Sequence, residues 1–333
     1  MTNRLTALGC LLLLAGCHTY PPRAVYQKPE LLEARKIWDA APHNAFTDLI
    51  RFRGEWFCVF REGQKHVSPD GAIRVLASKD GNEWTSAARI TSSLGDLRDP
   101  KIVLAPSGHL MLTAAVALPQ PAAHTHQTLA WFSTDGRNWS TETPVGEPDF
   151  WMWRVAWHEG MAYGIGYDTT KAERSVRLYS SRDGKDFSTL LPELFTGGRP
   201  NETGLIFQPD GAALCLLRRD GPAANGQLGV ARPPYTRWEW KDTGARIGGP
   251  QMLRLPDGRI VAAVRFYDAP VRTALAWVDP GSGRLTEFLK LPSGGDTSYA
   301  GLVWHHGLLW VSYYSSHEGK TSIYLAKVGL PKA

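Results

Sequence analysis

The sequence is poor in cysteine, with only four among 333 residues. So few exclude a disulfide-dense scaffold, in which cross-links replace a hydrophobic core. Beyond the N-terminal region, no apolar run is long enough for a transmembrane helix. No glycine-rich phosphate loop leads from a strand into a helix, and no basic tract resembles a nucleic-acid-binding motif. Neither a nucleotide-binding fold nor a nucleic-acid partner is therefore expected.

Turn-forming residues are abundant instead. The 33 glycines and 23 prolines are spread along the chain, which favours many short strands over long helices. Hydrophobic residues make up 43% of the sequence, enough for a full-sized core. The formal net charge of +5 is compatible with an acidic ligand but does not specify one.

The N-terminal 17 residues, MTNRLTALGCLLLLAGC, have the pattern of an export signal. Arg4 precedes a short apolar run that ends in small residues. The end of this segment, Leu14-Ala15-Gly16-Cys17, resembles the bacterial lipobox. That resemblance implies acylation of Cys17 and a lipoprotein of the bacterial cell envelope, in the outer membrane, facing either the periplasm or the surface. An ordinary cleaved signal peptide is the alternative.

A short motif of serine, a spacer, Asp-Gly and an aromatic residue occurs three times. The copies are SKDGNEWT at 78–85, STDGRNWS at 133–140 and SRDGKDFS at 181–188. Asp-Gly predicts a tight turn, because the aspartate accepts hydrogen bonds from local amides and glycine tolerates a positive φ. The copies are separated by about fifty residues, which indicates a structural repeat of that length.

Turn glycines mark the same period along the chain, and each precedes a short apolar strand. These glycines are Gly54, Gly108, Gly160, Gly211, Gly258 and Gly307. Six repeats, each long enough for four strands, predict an all-β protein: a six-bladed β-propeller of four-stranded antiparallel blades. Too little chain follows the last glycine for an outer strand, so residues 24–38 are expected to supply it and close the ring.

The predicted domain organisation is a signal peptide at 1–17, a polar tether at 18–33 and the propeller at 34–333. Removal of Cys10 with the signal and acylation of Cys17 leave two cysteines, Cys58 and Cys215. The repeats place them on opposite sides of the ring, well beyond the roughly 7 Å between Cα atoms that a disulfide permits. Both are therefore expected to be core residues.

The repeated pattern Ser-x-Asp-Gly-x-x-Trp resembles the Asp-box repeat of the sialidase superfamily. The similarity covers residues 35–330. It implies a sialidase-like propeller and an exo-acting glycoside hydrolase that releases an acidic sugar. Because these turns specify the fold and lie on the face opposite the mouth, they establish no activity by themselves.

The strand register places three arginines at one end of the ring. An inner strand and the strand that returns from the turn glycine finish on the same face when they have similar lengths. Seven residues after their glycines lie Arg61, Arg218 and Arg265. A planar guanidinium can bond both oxygens of a carboxylate, so these arginines are interpreted as substrate-binding groups. The alternative is that each pairs with a neighbouring acidic side chain.

The beginnings of the inner strands reach the same face and carry further candidate residues. Glu202 and Tyr299 begin strands two blades apart. A carboxylate beside a phenol can accept its proton and turn it into a nucleophile. A neutral phenol is not repelled by an anionic sugar, unlike the carboxylate nucleophile of most glycosidases. Arg98, Asp99 and Arg154 lie nearby and are further candidates for substrate binding.

The sialidase resemblance extends to these segments. Asn201-Glu202 followed by PDGAALCLLR is similar to a sialidase stretch that carries the partner of the nucleophile and an arginine of the substrate triad. The segment 294–299, Gly-Gly-Asp-Thr-Ser-Tyr, looks like the nucleophile segment. The resemblance implies that Tyr299 is the nucleophile, that Glu202 is its partner, and that Arg218 and Arg265 belong to the triad.

Blade 1 departs from the family pattern. Residues 43–48 read His-Asn-Ala-Phe-Thr-Asp where sialidases have Phe-Arg-Ile-Pro, so the usual first arginine is absent. Arg61 or Arg98 would have to supply it from a different strand. The substrate is therefore left open among sialic acid, a uronic acid and an ulosonic acid.

A general acid is expected on the loop at 61–71, above the mouth. The family resemblance favours Asp70, although Pro-Asp-Gly is also an ordinary turn sequence. His66 on the same loop is the rival proton donor, because a histidine has its ordinary pKa near neutrality.

Together these observations predict a retaining exo-glycosidase that needs no metal and no organic cofactor. Its expected partners are an anionic glycan as substrate and a membrane through the lipid anchor, and the protein is expected to be a monomer. One alternative is a polysaccharide lyase that uses a tyrosine and a histidine on an anionic glycan. The other is a propeller that binds glycans without catalysis.

Overall fold

The computed structural model describes residues 26–332 of the chain. Every regular element in that range is a β-strand, so no helix there is long and apolar enough to cross a membrane. The 24 strands form six antiparallel sheets of four strands each. This is the six-bladed β-propeller that the repeats predict. The predicted signal peptide 1–17 with Cys17, and the tether as far as residue 25, lie outside the described residues.

After β1 (Glu30–Trp38), the first three blades each contain four consecutive strands. Blade 1 contains β2 (His43–Phe52), β3 (Glu55–Gly63), β4 (Ala72–Ser78) and β5 (Thr85–Ile90). Blade 2 contains β6 (Asp96–Leu104), β7 (Leu110–Ala117), β8 (His126–Ser133) and β9 (Thr143–Val145). Blade 3 contains β10 (Phe150–His158), β11 (Met161–Asp168), β12 (Ser175–Ser181) and β13 (Ser188–Thr196).

The remaining blades continue the same order. Blade 4 contains β14 (Pro200–Phe207), β15 (Ala213–Arg219), β16 (Gln227–Ala231) and β17 (Trp238–Asp242). Blade 5 contains β18 (Ile247–Arg254), β19 (Ile260–Phe266), β20 (Arg272–Val278) and β21 (Leu285–Lys290). Blade 6 contains β22 (Thr297–His305), β23 (Leu308–Ser315), β24 (Ser322–Gly329) and the N-terminal strand β1.

The N-terminal strand closes the ring, as predicted for residues 24–38. β1 pairs antiparallel with β24, with Arg35 opposite Leu325 and Trp38 opposite Ile323. Because β1 begins at Glu30, the sheet extends into the segment expected to be a tether. The pairing removes an exposed edge from the last blade, and such an edge would otherwise be open to pairing with another chain.

The turns of each blade have the conformations that the sequence predicts. All six turn glycines between first and second strands have φ between 77° and 92°, a region that favours glycine. In the Asp-Gly turn of blade 1, Asp80 Oδ1 accepts a hydrogen bond from the Asn82 amide at 2.8 Å. Asp135 and Asp183 make the equivalent bond, also at 2.8 Å. These three carboxylates therefore stabilise the turns.

The core lies between neighbouring blades and consists of the apolar residues that alternate along the strands. Trp56 of blade 1 and Trp310 of blade 6, for example, have ring centroids 4.3 Å apart across the closure. Cys58 and Cys215 are both fully buried free thiols in this core. Burial raises the pKa of each thiol far above its ordinary value, so neither is a reactive thiolate.

Candidate functional site

Every inner strand has a β-bulge near the end at which it begins, which we call the mouth of the propeller. In blades 1 and 6 the register shifts between Ala45 and Asp48 and between Ser298 and Gly301, and the other four inner strands shift at equivalent places. A bulge bends a strand and re-aims a side chain. The residues within the six shifts include Phe46, Asp99, Trp153, Glu202, Gly249 and Tyr299. We call this group of residues the central pit.

Tyr299 lies at the centre of this arrangement. Its ring centroid is 5.1 Å from that of Phe46 and 5.6 Å from that of Trp153. Gly249 packs on its other side, where an added Cβ would lie 2.9 Å from the Tyr299 amide nitrogen. Any larger residue at position 249 would therefore displace the tyrosine backbone.

Tyr299, Glu202 and Arg218 form a compact hydrogen-bonded group. The Tyr299 hydroxyl donates to Glu202 Oε1 at 2.5 Å. Arg218 Nη1 donates to the same carboxylate oxygen at 2.6 Å and to the Tyr299 hydroxyl oxygen at 3.0 Å. Glu202 Oε2 accepts a further bond from the Gly249 amide at 2.8 Å. The structure thus brings together three residues that the sequence predicted, two from blade 4 and one from blade 6.

The backbone of Tyr299 is held in an unfavourable conformation. Its φ is 53° and that of Ser298 is 101°, values that cost non-glycine residues on the order of 1–3 kcal/mol each. The Thr47 hydroxyl donates to the Tyr299 carbonyl at 2.8 Å and helps to hold this geometry. Strain of this kind is concentrated at functional sites, where the surrounding structure fixes a side chain in position.

The electrostatic environment keeps the Tyr299 phenol protonated, and Glu202 is placed to accept its proton. Burial raises the pKa of Tyr299 well above its ordinary value, and the negative charge of Glu202 raises it further. Arg218 and Arg265 oppose this rise, since a nearby cation stabilises a phenolate. Transfer of the proton across the 2.5 Å bond to Glu202 would leave the developing phenolate beside two guanidinium groups.

Arg265 borders the pit on the blade 5 side. Its Cζ is 5.5 Å from the centre of the Tyr299 ring. Its Nη2 donates to Asp296 Oδ1 at 3.0 Å and to the Tyr314 hydroxyl at 2.9 Å. Arg218 is likewise paired, because its Nε donates to Asp220 Oδ1 at 2.9 Å. Both arginines therefore lie at the mouth, as the strand register predicts, and both form ion pairs with carboxylates of the chain.

Asp99 is a buried carboxyl group with few partners. It is 5% exposed, and its Oδ1 has no hydrogen-bond partner among residues 26–332. Burial raises the pKa of Asp99 to about 6, although the charges of Arg98 and Lys101 oppose the rise. Glu202 contributes to the rise, which shows that the two carboxyl groups share one electrostatic environment. Asp99 is therefore a carboxylic acid suited to donating a proton.

Of the five arginines that the sequence predicted to bind substrate, Arg98 makes the fewest polar contacts with the protein. Its nearest carboxylate contact is a long one, 3.9 Å from Nε to Asp99 Oδ2, and its Nε is without a hydrogen bond in the described range. The guanidinium lies over the rings of Phe46 and Trp151, at 5.6 and 5.9 Å from their centroids. A stacked arginine with unused donors can receive an anionic group.

Arg61 does not lie in the pit, and this corrects its predicted role. Its side chain is fully buried and donates to Asp96 Oδ1 from Nε at 2.9 Å and from Nη2 at 2.8 Å. The same guanidinium donates to the carbonyl oxygens of Lys65 and Ser68. Because its N–H donors are used in these bonds, Arg61 anchors the loop above blade 1 instead of binding a ligand.

Arg154 also differs from its prediction as a substrate-binding residue. Its Nη1 donates to Asp48 Oδ2 at 2.8 Å, and both side chains are buried. Asp48 follows Phe46 along β2, away from the mouth, so this ion pair lies deeper in the central channel. This ion pair connects blade 1 to blade 3.

The two candidates for the general acid occupy different places on the loop between β3 and β4. Asp70 is exposed and accepts hydrogen bonds from the Gln64 amide, in the turn that Pro-Asp-Gly predicts. Its bond from Ser68 lowers its pKa, which is the wrong direction for a proton donor. His66, by contrast, reaches the mouth, where its Nδ1 is 2.8 Å from Asp296 Oδ2 and its ring is 5.1 Å from Phe46.

Several residues of the pit were not identified from the sequence. Phe46 and Gly249 carry no chemical signature, and only their similar distances from the turn glycine, eight and nine residues, would have marked them. Lys101 lies under the pit, with its Nζ 4.9 Å from the Trp153 ring centroid. Burial lowers the pKa of Lys101 to about 8, and the neighbouring charge of Arg154 lowers it further.

Comparison with solved structures shows where this fold occurs elsewhere. A Dyadobacter fermentans protein of unknown function superposes with a TM-score of 0.80 at 19% identity, over 92% of this chain and 100% of that one. An α-L-arabinanase of Penicillium chrysogenum, complexed with arabinobiose, gives 0.70 at 14% identity, over 90% and 99%. A Trypanosoma rangeli sialidase in complex with the inhibitor DANA gives 0.68 at 10% identity, over 86% of this chain and 55% of that one.

At the level of sequence, no protein-family model and no curated protein matches the chain. The structural similarities, all at low identity, concern the fold. The chain is a divergent six-bladed propeller with the architecture of proteins that include a sialidase and an α-L-arabinanase, which confirms at the level of the fold the resemblance to the sialidase superfamily.

Proposed function

We propose that this chain is an exo-acting glycoside hydrolase that releases a terminal acidic sugar with retention of configuration. The observation that carries the proposal is the 2.5 Å hydrogen bond from Tyr299 to Glu202, with Arg218 bonded to both, at the centre of the pit. The coarser part of the proposal, action on a glycan, has further support from the glycan-acting enzymes with this fold.

The residues of the pit suit a double displacement. Tyr299 attacks the anomeric carbon as its proton passes to Glu202, and Asp99 gives its proton to the leaving oxygen as the glycosidic bond breaks. A water molecule then attacks the same carbon and transfers a proton to the Asp99 carboxylate. Glu202 returns its proton to the departing phenolate. Two displacements at one carbon retain its configuration.

The assignment of Asp99 as the acid replaces the earlier expectation of Asp70. Its support is the raised pKa of about 6 together with burial in the pit. His66 is the alternative donor, because it lies at the mouth and is half exposed. Substitution separates the two assignments, since turnover should be lost in Asp99→Asn if Asp99 is the acid and in His66→Ala if His66 is the acid.

The acidic group of the substrate would be bound by Arg98, whose donors are the least used. Arg218 and Arg265 would contribute to the positive potential of the pit while holding Glu202 and Asp296 in place. Charge-assisted hydrogen bonds from a guanidinium to a carboxylate contribute about 1.5–3 kcal/mol each. One such bond is enough to favour an acidic sugar over its neutral counterpart by tenfold or more.

A second candidate is hydrolysis of a neutral sugar with Glu202 itself as the nucleophile. The observation that favours it is the pairing of Arg218 and Arg265 with carboxylates of the chain. These two arginines therefore have fewer free N–H donors for a substrate carboxylate than Arg98 has. The arabinanase with arabinobiose bound shows that this fold accommodates a pentose glycan in another protein. In this mechanism Asp99 would remain the acid, and Tyr299 would only position Glu202.

Substrate screening and one substitution separate these possibilities. The wild-type protein should release acidic monosaccharides from glycans that carry them, and Tyr299→Phe should abolish this release while ligand binding persists. If Tyr299→Phe retains turnover and neutral pentosides are cleaved, the second candidate is correct. Loss of activity only in Glu202→Gln would support the same conclusion.

We also propose that the protein is a lipoprotein of the cell envelope, acylated at Cys17, and that the propeller acts there on its glycan. The lipobox-like sequence supports this location. Incorporation of a labelled fatty acid into the wild-type protein, and its absence from Cys17→Ala, is the expected result. Equal labelling of both proteins would contradict the proposal.

A further inference from the structure

Two histidines and an aspartate gather at the rim of the pit, and the proposed reaction with Asp99 as the acid uses none of them. His43 begins β2, His66 lies on the loop between β3 and β4, and Asp296 precedes β22. One potential ligand atom from each lies within 4.8 Å of the others. No sequence motif joins them, because the closure of the ring brings blade 6 next to blade 1.

The distances between these atoms are close to those of a metal site. His66 Nδ1 is 2.8 Å and His43 Nε2 is 3.7 Å from the same oxygen, Asp296 Oδ2. A tetrahedral zinc ion with bonds of about 2.0–2.1 Å separates its ligands by about 3.3 Å. The observed distances bracket that value, and His66 lies on an exposed loop that can adjust.

The imidazole of His43 is buried and directs its Nε2 towards Asp296. The residue is 8% exposed, and its Nδ1 has no hydrogen bond within residues 26–332. Its Nε2 is too far from Asp296 for a hydrogen bond, at 3.7 Å. Nε2 is therefore the nitrogen that is placed to bind a cation beside Asp296, while Nδ1 would remain without a hydrogen bond.

The aspartate is oriented as a ligand would be. Asp296 Oδ1 accepts hydrogen bonds from Arg265 at 3.0 Å and from Tyr314 at 2.7 Å, which leaves Oδ2 directed at the two histidines. Outer hydrogen bonds of this kind fix the ligands of metal sites. Arg265 will weaken cation binding through charge repulsion, so a moderate affinity is expected.

We infer that His43, His66 and Asp296 bind a divalent transition-metal ion of the zinc class. Two imidazole nitrogens and one carboxylate suit zinc, whereas calcium and magnesium prefer sites built from oxygen ligands. Three protein ligands leave a coordination position open to a substrate oxygen. Phe46 lies 5.1 Å from both the His66 and the Tyr299 ring, so the ion would be adjacent to the pit. This inference does not rest on the proposed reaction.

The test is a titration of the chelator-stripped full chain with Zn²⁺, followed by calorimetry, and with Co²⁺, followed by visible absorption. One ion per chain is expected, with Co²⁺ bands typical of low coordination number. His66→Ala should weaken Zn²⁺ binding at least about tenfold. The matched control is His124→Ala: His124 is also half exposed and 2.8 Å from an aspartate, Asp149, but they belong to no three-residue cluster among the described residues.

Two results would overturn the inference: no saturable binding by the wild-type protein, or the same affinity in His66→Ala. If His66→Ala fails to fold, the wild-type protein still provides a test through histidine modification by diethyl pyrocarbonate. Saturating Zn²⁺ should then protect His66 but not His124. Modification of His66 at an unchanged rate would contradict metal binding at this position.

Discussion

The Tyr299 hydroxyl donates a 2.5 Å hydrogen bond to Glu202, although the two residues lie 97 positions apart in the chain and two blades apart in the ring. The contact is possible because both residues sit in bulges at the mouth ends of their inner strands. Radial symmetry thus converts equivalent positions in separate repeats into neighbours. The proposed nucleophile and the base that activates it are therefore close together because of the symmetry of the ring.

Replacement of Tyr299 by phenylalanine removes the hydroxyl and keeps the ring contacts with Phe46 and Trp153. We expect turnover to fall to the background level, because no other phenol hydrogen-bonds to Glu202 in the described part of the chain. The free energy of unfolding should change by only about 1 kcal/mol, the net contribution of one hydrogen bond. Steady-state kinetics and urea denaturation measure the two quantities.

The control for this substitution is Tyr313→Phe. Tyr313 is equally buried and loses one hydrogen bond, to the Pro292 carbonyl at 3.0 Å, but it packs in the outer core against Tyr324. It should lose similar stability and keep full turnover. Equal turnover in the two variants would show that the Tyr299 hydroxyl has no chemical role.

Substitution by methionine is expected to destabilise the protein much more at Arg61 than at Arg98. Arg61→Met leaves the buried carboxylate of Asp96 without the guanidinium that donates two hydrogen bonds to its Oδ1, which costs about 3–5 kcal/mol of stability. Arg98→Met removes only a long ion contact and two ring contacts, so its cost should be about 1 kcal/mol. Chemical denaturation of the two variants measures this difference.

The same pair separates structural from ligand-binding arginines. In Arg98→Met, KM for a substrate with an acidic terminal sugar should rise about tenfold or more, as expected for loss of one charge-assisted hydrogen bond. The Arg61→Met protein that remains folded should bind substrate normally. If KM is unchanged in Arg98→Met, the substrate carboxylate is bound elsewhere.

Asp99→Asn should stabilise the protein at neutral pH. The folded-state pKa of about 6 exceeds the ordinary value of 3.8, so the folded protein binds the proton more tightly than the unfolded chain does. Stability from this group is therefore present below pH 3.8 and is lost as the pH rises to about 6. The shift corresponds to about 3 kcal/mol, the upper limit of the expected stabilisation by the neutral asparagine above pH 6.

Urea denaturation at pH 4, 6 and 8 checks this expectation. The difference between Asp99→Asn and wild type should grow with pH over this range and then level off. A difference that stays constant with pH would show that Asp99 has an ordinary pKa, and the residue would lose its main qualification as the general acid.

Deletion of the residues up to 38 should destabilise the propeller, because it removes β1 and exposes the edge of β24. We expect a lower melting temperature and association of the protein through the free edge. Deletion up to residue 25 is the matched control, since it leaves β1 in place. Circular dichroism and size-exclusion chromatography compare the two. Equal melting temperatures would mean that β1 does not close the ring in solution.

The number of blades and their closure could be predicted from the sequence because glycines with positive φ recur at nearly constant spacing. The same spacing also identified the end of the ring at which Glu202, Arg218, Arg265 and Tyr299 meet. These predictions rest on strand register, which depends on local chain length and turn position.

The direction of individual side chains could not be predicted in the same way. Arg61 forms an ion pair with Asp96 of the next blade, and Arg154 forms one with Asp48 across the channel. Each partner comes from a distant segment, so neither ion pair has a signature in the local sequence. The bulges that aim Phe46, Asp99 and Gly249 into the pit are likewise visible only in three dimensions.

The most direct test of hydrolysis at Tyr299 is to incubate the full chain with a panel of glycans that end in acidic sugars, in water enriched in ¹⁸O. Released monosaccharides are then identified by mass spectrometry. Hydrolysis at Tyr299 predicts an acidic monosaccharide that carries one ¹⁸O at its anomeric carbon, and no product with Tyr299→Phe. Release of an unlabelled, unsaturated sugar that absorbs in the ultraviolet would indicate a lyase, and release of nothing from any glycan would indicate a binding protein; either result would contradict hydrolysis at Tyr299.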